Sequence, residues 1–407
     1  MINRPDYIAA IEPFIDKPLV KILAGIRRCG KSTIFEMLRE ELLRRGIGED
    51  QIVCKRYTEM DIPENITAKQ MYDELTAAMA GKGHCYLLLD EIQEITGWEK
   101  AVNSLLESAD ADIYVTGSNS KLMSSEISTY LTGRYVSIPV YTLSFKEYLD
   151  FKADSTLSRR ELLEEYIRFG GFPIIALSEY DEQSAYQIVN GIYHTVVSRD
   201  IVKRHRINKQ DLFDRVVKYI IENMGKTFSA NSISTFLKSE HRKVSVESIY
   251  NYLRWLEQAF IIYPCERYDL QGKSILKTQE KYYLADVSLK YALLGYNRKM
   301  LDGAMENIVY LELKRRGYDV YIGKNDTKEI DFVATRRDER VLCAGLRPDP
   351  RSIGPRSGEP DGDPRPLPQI CCDPQRDGYR HRGRHPDRSP RGFSACRTMV
   401  IILRLIR

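Results

Sequence analysis

Two glycines, a lysine and two hydroxyl side chains stand together near the N-terminus, in GIRRCGKST over residues 25–33. In a glycine-rich loop, backbone N–H groups can close around phosphate oxygens. A helix that begins where the loop ends turns its positive pole toward them. Gly25-x4-Gly30-Lys31-Ser32 has the spacing of such a loop. Lys31 is placed to neutralise β- and γ-phosphate charge, and Ser32 to ligate magnesium. The expected phosphate-binding set is Gly25, Arg28, Cys29, Gly30, Lys31, Ser32 and Thr33.

A second pair, Asp90 and Glu91, ends the apolar run YLLL at 86–89. Asp90 is expected to hold magnesium with Ser32. Glu91 is expected to polarise an attacking water as general base. Downstream, VTGSNS at 115–120 offers Thr116, Ser118 and Asn119, any of which would reach a γ-phosphate from the next strand. Arg134, in LTGRY, is a candidate arginine finger, acting within its own chain or on a neighbouring copy.

These residues need a scaffold, and the apolar pattern supplies one. LVKILA (19–24) reads as a buried strand ending at the loop. STIFEMLREELLRRG (32–46) has helical spacing at Ile34, Met37, Leu38 and Leu42. AKQMYDELTAAMA (68–80) and WEKAVNSLLES (98–108) read as helices, CYLLLDE (85–91) and ADIYVTGSNS (111–120) as strands. Strands alternating with helices imply a parallel sheet covered on both faces, an α/β P-loop NTPase domain over residues 1–150.

Past residue 150 the text turns helical, and residues 151–208 read as a helical linker or lid. Residues 209–270 suit a winged helix, with Ser229 and Ser245 as N-caps. Its third helix carries Tyr250, Tyr252, Arg254 and Trp255, after a basic turn of Lys238, His241, Arg242 and Lys243. DNA is therefore a candidate partner through residues 238–255. The competing reading takes Tyr250, Leu253, Leu256 and Phe260 as core positions and the module as a protein contact. Helix 304–317 and strands at 282–286, 318–323 and 329–335 follow.

The net charge of +4 conceals two unlike parts: residues 1–340 carry −2 and residues 341–407 carry +6. Nucleic-acid binding must then come from a local patch rather than from overall charge. Ten of the 17 prolines fall between Pro348 and Pro390, and lysine vanishes after residue 340. Residues 341–407 are expected to form an Arg- and Pro-rich disordered tail, and the abrupt change suits out-of-frame translation. The eight cysteines show no zinc-ligand spacing. No apolar run reaches membrane-spanning length, so the expectation is a cytoplasmic protein without membrane contact.

GIRRCGKST, LLLDEIQ, VTGSNSKLMSSEISTYLTGRY and LSFKEYL together resemble the bacterial and archaeal ATPases of the AAA superfamily. In these, the ATPase domain precedes a domain of unknown function, DUF4143. GGFP (170–173), SRDIVKRHRI (198–207) and KYYLADVSLKYALLG (281–295) are similar to the later part. The resemblance covers residues 4–340. It implies an ATP- and Mg2+-dependent enzyme with a winged helix and a C-terminal domain similar to PD-(D/E)xK nucleases, here incomplete over 271–340. By position, Asp90 and Glu91 become the Walker B pair and Asn119 the sensor. Glu306 and Asp331 take the places of the first nuclease acids. The Glu/Asp-x-Lys expected on the next strand, near Val341, is missing, so nuclease activity is not expected. The reading is an ATPase whose nucleotide state switches the C-terminal region. The alternatives are a DNA-processing nuclease-ATPase and a nucleotide-gated binding module with little turnover. Homo-oligomers or a protein partner are further expectations.

Overall fold

The computed structural model describes residues 3–343, apart from 59–65, 124–130, 132, 208, 243, 270–273, 297–302, 326–327 and 337–338. The Arg- and Pro-rich tail lies outside the described residues from 344 onward, as does Lys243. Helices are α1 (Pro5–Ile11), α2 (Lys31–Arg44), α3 (Ala68–Met79), α4 (Trp98–Ser108), α5 (Phe145–Phe151) and α6 (Arg159–Phe169). They continue with α7 (Pro173–Ala176), α8 (Glu182–Val196), α9 (Gln210–Glu222), α10 (Ala230–Ser239), α11 (Val246–Gln258), α12 (Ser288–Leu294) and α13 (Ala304–Arg315).

The first sheet contains β1 (Val20–Ala24), β2 (Ile52–Arg56), β3 (Cys85–Asp90), β4 (Ala111–Gly117) and β5 (Tyr135–Pro139), in the order β2-β3-β4-β1-β5. Every pairing is parallel. The strands β1 and β3 are buried along their whole length, which explains their unbroken apolar runs. Lys21 interrupts the first run yet is fully buried, because its ammonium pairs with the equally buried Asp112 and donates to the Lys17 carbonyl at 2.9 Å. The sheet places β4 between β1 and β3. The loop after β1 and the acids after β3 therefore share the carboxyl-terminal edge, with Thr116 between them.

The second sheet has the order β10-β9-β8-β6-β7, from β6 (Ile262–Asp269), β7 (Ser274–Leu284), β8 (Asp319–Asn325), β9 (Lys328–Arg336) and β10 (Glu339–Cys343). It is mixed: β6 and β8 run parallel and the other neighbours antiparallel. The antiparallel pair β6–β7 spans the junction expected at residue 270 and joins the three helices α9–α11 to the last sheet. A short β10 does form where the tail was expected to begin.

Apolar burial continues from the parallel sheet through α8 and α9 to α11. Two buried polar contacts tie the late segment to the first. The Gly171 N–H donates to Asp286 at 2.8 Å, and Thr142 donates to the Ala285 carbonyl at 3.1 Å. Gly170 adopts φ 75°, and a Cβ there would stand 1.7 Å from an Asp286 carboxylate oxygen.

Candidate active site

Lys31 opens α2, and Gly30 before it has φ 102°, a conformation only glycine adopts freely. The loop is thus held with its N–H groups at the start of a 14-residue helix. Gly25 answers to a different constraint. A Cβ at this position would lie 2.0 Å from the Val140 carbonyl oxygen, where the chain leaves β5. Arg28 also takes a positive φ, 67°, and lines the cleft. Cys29 is fully buried and faces away from it, and burial pushes its thiol up.

Arg4, which sequence reasoning passed over, fixes the loop from behind. It is 2% exposed and donates to the Cys29 carbonyl at 2.8 Å. The same guanidinium grips Glu147 at 2.7 and 3.3 Å and the Tyr141 carbonyl at 3.0 Å. Nothing in its local sequence marks it. The signal is tertiary, since Glu147 lies 143 residues away.

The predicted acids meet the loop. Ser32 Oγ donates to Asp90 at 2.7 Å. Lys31 Nζ lies 3.5 Å from Glu91 and donates to the Gly25 carbonyl at 3.1 Å. Thr116 donates to Asp90 and accepts from the Glu91 N–H at 3.0 Å, so one hydroxyl sets both acids. Glu91 sits at φ 54°, backbone strain of the kind that collects at functional sites. Burial pushes the Glu91 carboxyl up, but Lys31, Gln93, Arg27 and Ser118 outweigh it and leave it below the ordinary range. Gln93 bridges Glu91 and Ser118. Of the three residues considered at the end of β4, Thr116 and Ser118 are thus engaged with the acids. Asn119 is buried just beyond the strand, and the cleft is not lined by it.

Arg134 lies away from the cleft. It precedes β5 at the amino-terminal edge of a parallel sheet, opposite the loop, and donates to Asn103 at 3.0 Å and Glu107 at 2.8 Å. From within its own chain it cannot reach the site.

The cleft over the loop holds about 940 Å³, within the range of small-ligand sites. The loop, Asp90 and Glu91 form its polar wall. Ile174, Leu177, Ile188 and Ile192 from the α7–α8 region form an apolar wall opposite. Thr33 and Arg199 also line it. Phosphates suit the first wall and a flat apolar ring the second. The Ser32 hydroxyl and Asp90 carboxylate supply only oxygen donors, which fits a hard divalent cation held jointly with phosphate oxygens.

The surface considered for DNA differs from expectation. Tyr252 is buried, edge-on to Phe213 with centroids 5.1 Å apart, and Trp255 stacks on His205 at 4.3 Å. Arg242 pairs with Asp211. Lys238, His241, Tyr250 and Arg254 are exposed, with Glu247 and Glu257 on the same helix as the last two. Tyr250, suggested as core, is 58% exposed. In the last sheet, Glu306 accepts from Tyr283 at 3.2 Å and lies 3.4 Å from Lys281. Burial and the nearby Asp331 push its carboxyl up.

A family model described as an AAA domain matches residues 17–149. An uncharacterized protein of Haemophilus influenzae is 37% identical over 342 residues, covering 83% of this chain and 85% of that protein. The chain belongs to the same family as this protein, and its residues 17–149 are an AAA domain. A second relative, an uncharacterized protein of Methanocaldococcus jannaschii, is 33% identical over 338 residues, covering 79% of this chain and 74% of that protein. The fold of this AAA protein is shared with the Walker-type ATPase of Pyrococcus abyssi. That structure is 15% identical, with a TM-score of 0.51, covering 72% of this chain and 96% of that one. Residues 160–299 match a domain of unknown function, DUF8612, rather than the expected DUF4143. Among the described residues, no helix of this AAA protein is long and apolar enough to cross a membrane.

Proposed function

We propose that the chain is a magnesium-dependent ATPase whose nucleotide state is felt by the helical and C-terminal layers. The observation that carries this is the meeting of loop and acids: Ser32 bonded to Asp90 at 2.7 Å, with Glu91 3.5 Å from Lys31. Loop N–H groups and Lys31 bind and orient the triphosphate. Ser32 and Asp90 would hold magnesium, which supplies charge neutralisation for the phosphates when bound. Thr116 and Gln93 orient Glu91 toward the space above the loop, where it takes the proton of an attacking water. The apolar wall at Ile174, Leu177 and Ile188 offers a surface for the base.

The nucleotide's influence would pass through α8 to the later segments. The order α9, a single bridge between Thr227 and Lys281, α10, α11 and then the β6–β7 pair supports a winged-helix reading of that region. Its exposed face mixes acids with bases and has lost two aromatic rings to packing, which favours a protein partner over DNA.

The test is phosphate release by the full chain, with Lys31→Ala and Glu91→Gln alongside. The expected result is hydrolysis in the wild type, lost in both variants, with ATP binding kept in Glu91→Gln. Tight binding without turnover in the wild type would favour the nucleotide-gated module instead.

A further inference from the structure

After α8 the helix widens into a π-helical turn over Val197–Val202. Such turns are rare, and the extra residue rotates the side chains that follow. Val197 and Ile201 stay buried in the core, while Asp200 is turned toward the phosphate loop and Arg199 toward the cleft. Asp200 is 5% exposed and accepts two hydrogen bonds from Arg27, at 2.7 Å from Nε and 2.8 Å from Nη2. Arg27 belongs to the loop itself, between Gly25 and Lys31.

Arg27 has other carboxylates within reach. Its Nη1 lies 3.9 Å from Glu91 Oε2, and its Nη2 3.4 Å from Glu94. A guanidinium only 12% exposed must be matched by an anion, and a two-point carboxylate contact is its best match. Asp200 provides that contact now. Without it, the enclosed Glu91 is the stronger competitor, because Glu94 is 36% exposed and well solvated. A closed Arg27–Glu91 pair would draw the carboxylate's lone pairs away from water.

We propose that Asp200 is a positioning residue for hydrolysis. By gripping Arg27 at two points it keeps this cation from closing from 3.9 Å into direct hydrogen-bond contact with Glu91, so that the working state of the carboxylate depends on the helical layer being docked. This rests on the ATPase reading above.

The experiment compares wild type, Asp200→Asn, Arg27→Lys and the double variant Arg27→Gln/Asp200→Asn, each as the full chain. Turnover, ATP affinity and melting temperature are measured together. In Asp200→Asn, kcat should fall by roughly tenfold or more, the scale of a misplaced catalytic group, while ATP affinity changes far less. Arg27→Lys keeps the charge but loses the two-point grip, and should also slow turnover. The double variant removes the stray cation with its partner and should recover most of the lost rate. A merely structural ion pair would instead lower the melting temperature and leave turnover of the folded protein unchanged. Asp200→Asn turning over like wild type, or a double variant as slow as Asp200→Asn, would overturn the proposal. If Asp200→Asn does not fold, Arg27→Lys and the double variant decide by the same criteria. Wild type that binds ATP without hydrolysing it would remove the ATPase reading, and this one with it.

Discussion

At the scale of single residues, the site combines parts that local sequence reveals with parts that it cannot. The spacing of Gly25, Gly30, Lys31 and Ser32 is a local code, because the loop and helix start are contiguous. Asp90 and Glu91 were legible because a buried strand must end at an edge. Arg4, Arg27 and Asp200 were not, since each acquires meaning only through a partner more than 60 residues away. Arg134 could not be placed for the same reason: its position along the chain says nothing about which end of a parallel strand it occupies. Gly25 yields a sharp expectation. A Cβ 2.0 Å from the Val140 carbonyl meets backbone, which cannot rotate aside. Gly25→Ala should therefore displace the loop against β5, weakening ATP binding and lowering the melting temperature, with isothermal titration and thermal unfolding as the measurements. Arg4→Met should leave Glu147 buried without its partner, a loss of about 3 kcal/mol or more in denaturant unfolding.

At the scale of elements, helices were the most readable. The ranges of α3, α4 and α10 follow their apolar spacing, and Ser229 and Ser245 do cap α10 and α11, accepting from Ser232 and Ser248 N–H at 3.1 Å. The missed strands are short or chemically mixed. IVCKR in β2 ends in two cations, YVSIP in β5 is half exposed, and IYPCERYD in β6 contains a proline and three charged side chains. Their strand character comes from neighbours in the sheet, not from their own composition. Ser245→Ala is expected to destabilise by about 1 kcal/mol, the usual worth of an N-cap. Chemical denaturation would show whether the loss appears in the global transition, as the continuous packing of α11 with the core requires, or as an earlier, separate one.

At the scale of the whole molecule, the junction between halves depends on Asp286. Burial pushes its carboxyl above the ordinary range, although it accepts from the Gly171 and Ser288 N–H groups. An acid whose pKa is higher folded than unfolded holds its proton more tightly in the native state. Its contribution to stability is thus fullest at low pH and declines as pH rises above the usual aspartate value of about 4 toward the folded one. Asp286→Asn removes this titration. The variant should gain on wild type as pH is raised through that window, measured as the difference in unfolding free energy at a series of pH values. A constant difference would show that Asp286 titrates alike in both states. The alternation of strands and helices made the parallel sheet readable. The mixed second sheet was not, because its order brings β6 beside β8 across more than 50 residues of chain, and no periodicity encodes such a pairing.

The clamp of Arg4 on Glu147 also sets a timetable. Arg4 leaves the ribosome ahead of its partner, which follows 143 residues later. At roughly 5–20 residues per second, the interval is about 7–30 s. Through that time the nascent chain carries a phosphate loop with nothing behind the Cys29 carbonyl, and only after all five parallel strands have been synthesised can the loop take its final shape. The loop is in this way left unbraced until the whole parallel sheet that carries it has been made.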